Sequence, residues 1–357
     1  MTDFIKYMND SVQNIVREAI KIGITRPKVL KYLNSFRGCV KKAEEKRLLS
    51  EQQGVHIPPF LICSITTSCN LFCSGCYARA DSFCAGKDAG VLPAQRWDEI
   101  FTEAADMGIS FVLLAGGEPF LHREVLSIAG EHTSLMFPVF TNGTMIDETA
   151  LQMLDDCRNI VPVISLEGKQ AQTDLRRGDG VYEQLTETMK KLKAKGILFG
   201  VSLTVTKNNI EEITEDGFIK GLKKAGAAVV FYIEYVPVDQ TSRALAPGEE
   251  ERTLLEQRMH ALRARHALMI LAFPGDEKYS GGCLAAGRGF VHINANGSVE
   301  PCPFSPFSDV NIKDHSLLEC LQSPFLKTLR EGGFLLGEHE GGCLLFEKEA
   351  EVRKMLT

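Results

Sequence analysis

The sequence predicts an α/β fold: a partial (β/α)6 barrel with a helical N-terminal extension and a small C-terminal α+β module. Three observations predict it. Apolar strand-like runs alternate with helical segments six times over residues 60–235, the pattern of a parallel sheet covered by helices. The connections are short, and parallel strands joined by helices curl into a barrel whose ligand site lies at the strand C-termini. The 357 residues, 44% hydrophobic, suffice for a large core and about two domains. A net charge of −6 points to no nucleic-acid partner. Eleven cysteines without a signal peptide indicate a reducing, cytoplasmic location and metal work in place of disulfides. No apolar run has the length of a membrane span.

Residues 1–57 form the extension. Phe4, Met8, Val12, Ile15, Val16 and Ala19 make one apolar stripe at helical spacing, Arg26-Pro27 marks a break, and residues 21–47 are basic. A cap packed on the following domain is the plain reading; a membrane-surface or partner-binding helix is the other. Pro58-Pro59 ends the extension. The core spans residues 58–270, with strands at 60–66, 110–114, 136–140, 160–166, 199–205 and 229–235. Helices lie near 93–107, 122–133, 147–157, 181–195 and 210–225, and a charged helix over 248–267 precedes a short apolar run at 268–273. The module spans 271–357, with hairpin strands at 289–293 and 298–300 around Asn294-Ala295-Asn296-Gly297, a helix over 316–330 and a terminal helix.

The first strand delivers the chain to Cys69-Asn70-Leu71-Phe72-Cys73-Ser74-Gly75-Cys76-Tyr77, three thiols at spacing C-x3-C-x2-C. Thiolates are the natural ligands of iron–sulfur clusters, and a complete cluster usually takes four. Cys63 and Cys84 are several residues away, so three thiolates leave one iron open to a ligand that is not protein. Ser74-Gly75 suits a tight bend. A zinc knuckle would use the same thiols if a fourth ligand stood nearby. The stretch resembles the cluster motif of the radical S-adenosylmethionine (radical SAM) enzymes. That resemblance covers about residues 60–237 and implies a partial TIM barrel. It further implies a catalytic 4Fe-4S cluster on Cys69, Cys73 and Cys76, SAM chelated at the open iron, and Tyr77 as the aromatic residue after the third cysteine.

Gly116-Gly117-Glu118-Pro119 follows the second strand, where glycines admit close backbone approach and a carboxylate can accept from an ammonium. A Gly-rich turn with Pro at the first helical position reads the same way. In the family the matching motif binds the methionine amino group. Thr141-Asn142-Gly143 ends the third strand with an Asn-Gly turn at the same face. Ser165-Leu166-Glu167-Gly168, then Asp174 and Arg177-Gly178, are similar to the family's Ser-Leu-Asp-Gly…Asp-x-x-Arg-Gly segment. The resemblance implies that Ser165 touches the ribose, Arg177 the SAM carboxylate, and Asp174 orients Arg177. Glu167 stands where Asp is common; a ribose ligand and a surface carboxylate both remain open. Val205-Thr206 and residues 234–237, Val236 among them, face the same mouth, where relatives pack adenine.

In the tail, Cys283 lies in GGCLAAGRG, Cys302 between prolines, Cys320 in a helical stretch, and Cys343 after Gly341-Gly342. Their order resembles the auxiliary-cluster modules called SPASM and twitch. A full SPASM module holds two clusters; four cysteines suffice for one further 4Fe-4S cluster. Cys320 suits a buried hydrophobe as well as a ligand, and the commoner four-thiolate arrangement favours the ligand. The resemblance therefore implies an oxygen-sensitive enzyme. It reductively cleaves SAM to methionine and a 5′-deoxyadenosyl radical, which abstracts hydrogen from a substrate at the barrel mouth. Electrons come from a reductant protein such as a ferredoxin or flavodoxin. Many members with such tails modify peptides, which makes a peptide the expected substrate, although no winged-helix leader-binding segment is evident at the N-terminus. A lipid or membrane-associated substrate is the alternative suggested by the basic extension. A non-catalytic iron–sulfur electron-transfer or sensor protein is the alternative of another class, and the two SAM-site motifs count against it.

Overall fold

The computed structural model describes residues 2–80, 90–237, 242–336 and 343–356, so Cys84, Gly341 and Gly342 lie outside the described residues. Six strands fall where the apolar runs place them: β1 Phe60–Ser64, β2 Phe111–Ala115, β3 Phe137–Thr141, β4 Ile160–Leu166, β5 Gly200–Val205 and β6 Val229–Glu234. They pair in sequence order, all parallel. The run at 268–273 becomes β7, Met269–Phe273, parallel to β6. The hairpin strands β8, Phe290–Ile293, and β9, Val299–Glu300, join the same sheet, with β8 parallel to β1. One curled nine-stranded sheet results, in the order β7-β6-β5-β4-β3-β2-β1-β8-β9. The expected boundary at 270 thus falls inside β7.

The helices in chain order are α1 Thr2–Gly23, α2 Pro27–Gln52, α3 Tyr77–Ala80, α4 Ala94–Met107, α5 Arg123–Glu131, α6 Glu148–Asp156, α7 Gln170–Arg177 and α8 Val181–Ala194. Then come α9 Ile210–Ile213, α10 Asp216–Ala225, α11 Glu249–Arg265, α12 Leu317–Leu321, α13 Pro324–Glu331, α14 Leu344–Glu347 and α15 Glu349–Lys354. Two expected helices are broken. Over 210–225 the Thr214 hydroxyl donates back to Ile210 O at 2.6 Å, a bond that competes with helix propagation. Over 316–330, Pro324 cannot continue the helix, and Ser323 caps the next one by accepting from Leu326 N. The helix α7, between β4 and α8, had no counterpart in the sequence reading. Leu61 and Cys63 of β1, with Ile65 just after it, pack with Trp97, Phe101 and Leu126 of α4 and α5 in the main core.

The extension closes the opposite end of the barrel. Val12, Val16 and Ala19 of α1 and Val29, Leu33, Phe36 and Val40 of α2 form a second core. Its other members, Phe111, Met136, Val161, Leu198 and Ala228, all stand at strand N-termini. The apolar stripe is therefore spent on the barrel floor, which is the plain reading of the sequence. Polar side chains finish the seal by satisfying carbonyls of loops that enter strands. Arg26 donates to Gly226 O at 2.8 Å, Tyr32 to Leu135 O at 3.2 Å, and the buried Arg47 to Gly108 O.

Candidate functional site

The loop after β1 carries the three half-buried thiols Cys69, Cys73 and Cys76 at the C-terminal end of the sheet. Neighbours on four sides hold it. After β2, Gly117 N donates to Thr66 O at 2.9 Å and Glu118 N to Ser68 O at 2.8 Å. Gly116 has φ +128°, and a Cβ there would sit 2.5 Å from Thr66 O; one on Gly117 would collide with Ser68 O. The glycine pair thus admits the backbone of the cysteine loop, where the sequence suggested a ligand. Gly117→Ala is accordingly expected to displace residues 66–69 and to lower the iron retained after reconstitution by at least half, measured as iron per chain. Full iron retention in a folded variant would refute this.

From α7, Ser74 N donates to Arg176 O at 2.9 Å, and Arg176 Nε donates to Ser74 O at 3.1 Å. Below, Gly75 (φ +65°) lies so close to the Tyr235 hydroxyl that no side chain fits. From the end of β3, Asn142 Nδ2 donates to Asn70 Oδ1 at 2.8 Å and lies 4.0 Å from Cys69 Sγ. Arg176 and Asn70 escaped the sequence reading; the Arg176-Arg177 doubling was the available signal.

Glu167 is the electrostatic centre. It is 2% exposed, which rules out the surface-carboxylate reading, because two guanidiniums draw it inward. Its Oε1 accepts from Arg176 Nη1 at 2.7 Å and from Arg177 Nε at 2.9 Å and Nη2 at 2.5 Å. Arg177 Nη1 then donates to Cys73 Sγ at 3.9 Å. Burial pushes the Cys69 and Cys73 thiols up, and Arg177 pulls Cys73 back toward the thiolate that a metal requires. Asp174 does not orient Arg177: its Oδ1 accepts from Tyr182 N at 2.8 Å, capping α8.

Glu118 also departs from expectation. It is fully buried, with Oε1 accepting from Thr141 Oγ1 at 2.6 Å and Phe120 N at 3.0 Å, and Oε2 from Asn142 N at 2.7 Å. Burial raises its carboxyl, and these three donors oppose the rise. The side chain braces the end of β3. Ser165 is half-buried and accepts from Ser202 Oγ at 3.1 Å, while Pro119 and Val236 are buried.

Among the described residues, two buried polar atoms beside Arg176 have no hydrogen-bond partner: Glu167 Oε2 and Tyr235 Oη. A buried unsatisfied group costs about 1–3 kcal/mol, so two of them side by side at the mouth leave room for a ligand's donors. A ligand with hydroxyl or ammonium donors would satisfy them, and SAM offers both. The thiols also fit a cluster. A cubane takes each thiolate on a different iron, and among the described residues no three His, Cys, Asp or Glu side chains converge on a single ion.

The Radical SAM superfamily model matches residues 63–216, which contain this loop and both flanking motifs. The chain carries a radical SAM domain. The AdoMet-dependent heme synthase of Methanosarcina barkeri is 26% identical over 288 residues, 73% of this chain and 81% of that protein. The sporulation killing factor maturation protein SkfB of Bacillus subtilis is 24% identical over 272 residues, 74% of this chain and 65% of that one, slightly under two thirds of its length. The crystal structure of Streptococcus suis SuiB bound to S-adenosylmethionine superposes with a TM-score of 0.66 at 18% identity, over 81% of this chain and 72% of that chain, a likeness of fold.

Beyond the radical SAM domain, the tail brings three of its four cysteines together. The Cys302 and Cys343 thiols neighbour one another, which holds Cys302 above its ordinary range and Cys343 below it, with backbone N–H groups at the start of α14 adding to the lowering. Cys283 lies within electrostatic reach of both. Cys320 stands elsewhere: on α12, fully buried, its strongest charged neighbours are Arg96, Glu103, Glu319 and Asp309. Its helix packs against α4, and none of the other three cysteines is among the groups that shift its thiol. Tyr77, expected at the cofactor, packs its ring edge-on against Phe304, two residues past Cys302, with centroids 5.1 Å apart. The two cysteine regions therefore touch.

Proposed function

We propose that this protein is a radical SAM enzyme that modifies a peptide. Cys69, Cys73 and Cys76 hold its catalytic 4Fe-4S cluster, and Cys283, Cys302 and Cys343 hold an auxiliary one. The observation that carries the reading is the thiol loop pinned at the barrel mouth beside the unpartnered Glu167 Oε2 and Tyr235 Oη. When bound, the cluster and SAM supply a 5′-deoxyadenosyl radical for hydrogen abstraction. This chain's residues do the rest. Glu167 Oε1 fixes Arg177, whose remaining arm sets the charge beside Cys73. Glu167 Oε2 and the Tyr235 hydroxyl offer polar contacts to a ribose or an ammonium, and α1 and α2 seal the floor against water. Support for a peptide comes from SkfB, a maturation protein by name, and from SuiB, solved bound to its precursor peptide SuiA. A reductant protein such as a ferredoxin or flavodoxin supplies the electron, in the cytoplasm. A tetrapyrrole is the second reading, since the heme synthase aligns over 81% of its own length.

The test is anaerobic. Protein reconstituted with iron and sulfide and supplied with dithionite and SAM is expected to release 5′-deoxyadenosine and methionine in equal amounts. Absence of 5′-deoxyadenosine overturns the enzyme reading. Stimulation of its release by a peptide encoded beside the gene supports the substrate class. Stimulation by an iron tetrapyrrole, with none by the peptide, overturns it.

A further inference from the structure

We infer that the exposed face bearing Phe72 and Leu175 is the docking surface for a flavodoxin-type electron carrier. The inference rests on the catalytic-cluster reading above and adds to it the place where the electron enters. One electron passes from the carrier's reduced flavin to the cluster on Cys69, Cys73 and Cys76. The flavin is oxidised by one electron, the cluster is reduced by one, and no atom is transferred. The flavin must come close to the thiol loop, and the protein's part is to hold it there.

Most of the loop is already covered. Phe304 packs on Tyr77, the residue after Cys76. Asn142, at the end of β3, lies beside Cys69 and Asn70. Glu167, Arg177 and Tyr235 stand on the side proposed for SAM. The side left open carries Phe72 and Ser74, both exposed. It continues across the Ser74–Arg176 hydrogen bonds onto α7, where Leu175 is exposed. Among the described residues these are the two most exposed large hydrophobic side chains, Phe72 at 81% and Leu175 at 79%. Single exposed apolar residues are ordinary, but these two flank one contact, each within two residues of it in the chain, and Phe72 adjoins Cys73.

Phe72 is preorganised as an anchor. The Arg79 guanidinium stacks 3.8 Å over its ring, and Arg79 Nη2 donates to Leu71 O, so ring and cation are fixed before a partner arrives. Aromatic and Arg side chains held in this way carry much of the energy of protein interfaces. Leu175 is fixed through α7, which the Ser74–Arg176 pair ties to the loop. A flavin presents a flat, apolar ring edge, which an aromatic and an aliphatic side chain match. The charge also fits. Residues 69–79 and 170–177, which make this face, carry Arg79, Arg176 and Arg177 against one carboxylate, Asp174, whose Oδ1 is engaged by Tyr182 N. Glu167 pairs with Arg176 and Arg177 from beneath. A basic face on a chain of net charge −6 selects an acidic partner.

The experiment uses the reconstituted full chain and a flavodoxin kept reduced by its NADPH-dependent reductase. Two quantities are measured: the affinity for oxidised flavodoxin, by isothermal titration calorimetry, and 5′-deoxyadenosine release driven by flavodoxin or by dithionite. Leu175→Asp is expected to weaken binding about tenfold and to slow flavodoxin-driven release by a similar factor at limiting flavodoxin. Its dithionite-driven release and its iron per chain should equal the parent's. Leu175→Met, which keeps the apolar volume, is expected to bind within about twofold of the parent. Phe72→Asp, followed by calorimetry alone, is expected to weaken binding about tenfold. Added salt should weaken the parent's binding. The inference is overturned if flavodoxin neither binds the parent nor drives the release that dithionite drives, even where a ferredoxin does both. It is also overturned if both Asp variants bind as the parent does, or if Leu175→Asp slows dithionite-driven release as much as flavodoxin-driven release. If dithionite drives no release from the parent, the catalytic-cluster reading fails separately, and calorimetry still decides the docking surface.

Discussion

Changing Cys69, Cys73 and Cys76 together to Ala is expected to abolish reductive SAM cleavage and to remove about four irons per chain, leaving those of the tail. The effect is all-or-none because, among the described residues, no neighbouring thiol can substitute. Cys63 is fully buried on the outer face of β1, packed in the main core, and burial drives its thiol far above the range in which it ionises. The loop itself should survive, since its fixings are backbone groups, the Arg176 guanidinium and Tyr235, none of which the variant touches. Retained folding with lost iron and lost 5′-deoxyadenosine, measured by circular dichroism, iron assay and chromatography, is the expected combination. Undiminished cleavage, or zinc in place of iron in the native protein, would sink the assignment.

Glu167→Ala is expected to destabilise the iron-free protein by about 3–5 kcal/mol, the cost of removing one partner from a buried ion pair. Two cations depend on this carboxylate, and the Arg177 side chain is only 10% exposed, so water cannot replace the lost partner. Denaturant unfolding measures the change. The variant should also bind SAM more weakly, because Arg177 loses the contacts that hold its third arm beside Cys73. A stability change under about 1 kcal/mol would show that the guanidiniums find other partners and that Glu167 organises nothing.

Most of the barrel was legible because its evidence is local. Alternating apolar runs and short connections place each of β1 to β6 within a residue or two. The apolar run of β7 does not by itself declare a strand, since nothing in MILAF says that β6 has a free edge to offer. The roles within motifs were less legible, because residue type at a strand end does not reveal which way a side chain turns. Glu118 turns into the protein and braces β3, Asp174 caps a helix, and the Gly116-Gly117 pair serves a neighbouring loop. Arg176 contributes more fixings than the family motif suggests because its backbone and its guanidinium both reach Ser74. In the tail, a cysteine pattern counts thiols alone. It favoured Cys320, which lies fully buried on α12 among apolar neighbours and charged groups.

The pairing of β8 with β1 acts as a ruler. The cysteine loop issues directly from β1, and Cys302 lies two residues beyond β9, the partner of β8. The spacing between the two cysteine regions is therefore written in the hydrogen-bond register Phe60↔Phe290, Leu61↔Val291, Ile62↔His292 and Cys63↔Ile293. A slip of one residue would move one end of the pair by about 3.3 Å along the strand and turn every side chain to the other face, taking Leu61 and Cys63 out of the core. Cutting the chain before β8 would do worse: it would convert β1 from an interior strand into a bare apolar edge, open to pairing with any passing chain. The tail is thus no exchangeable cassette, for the catalytic strand has it as a neighbour.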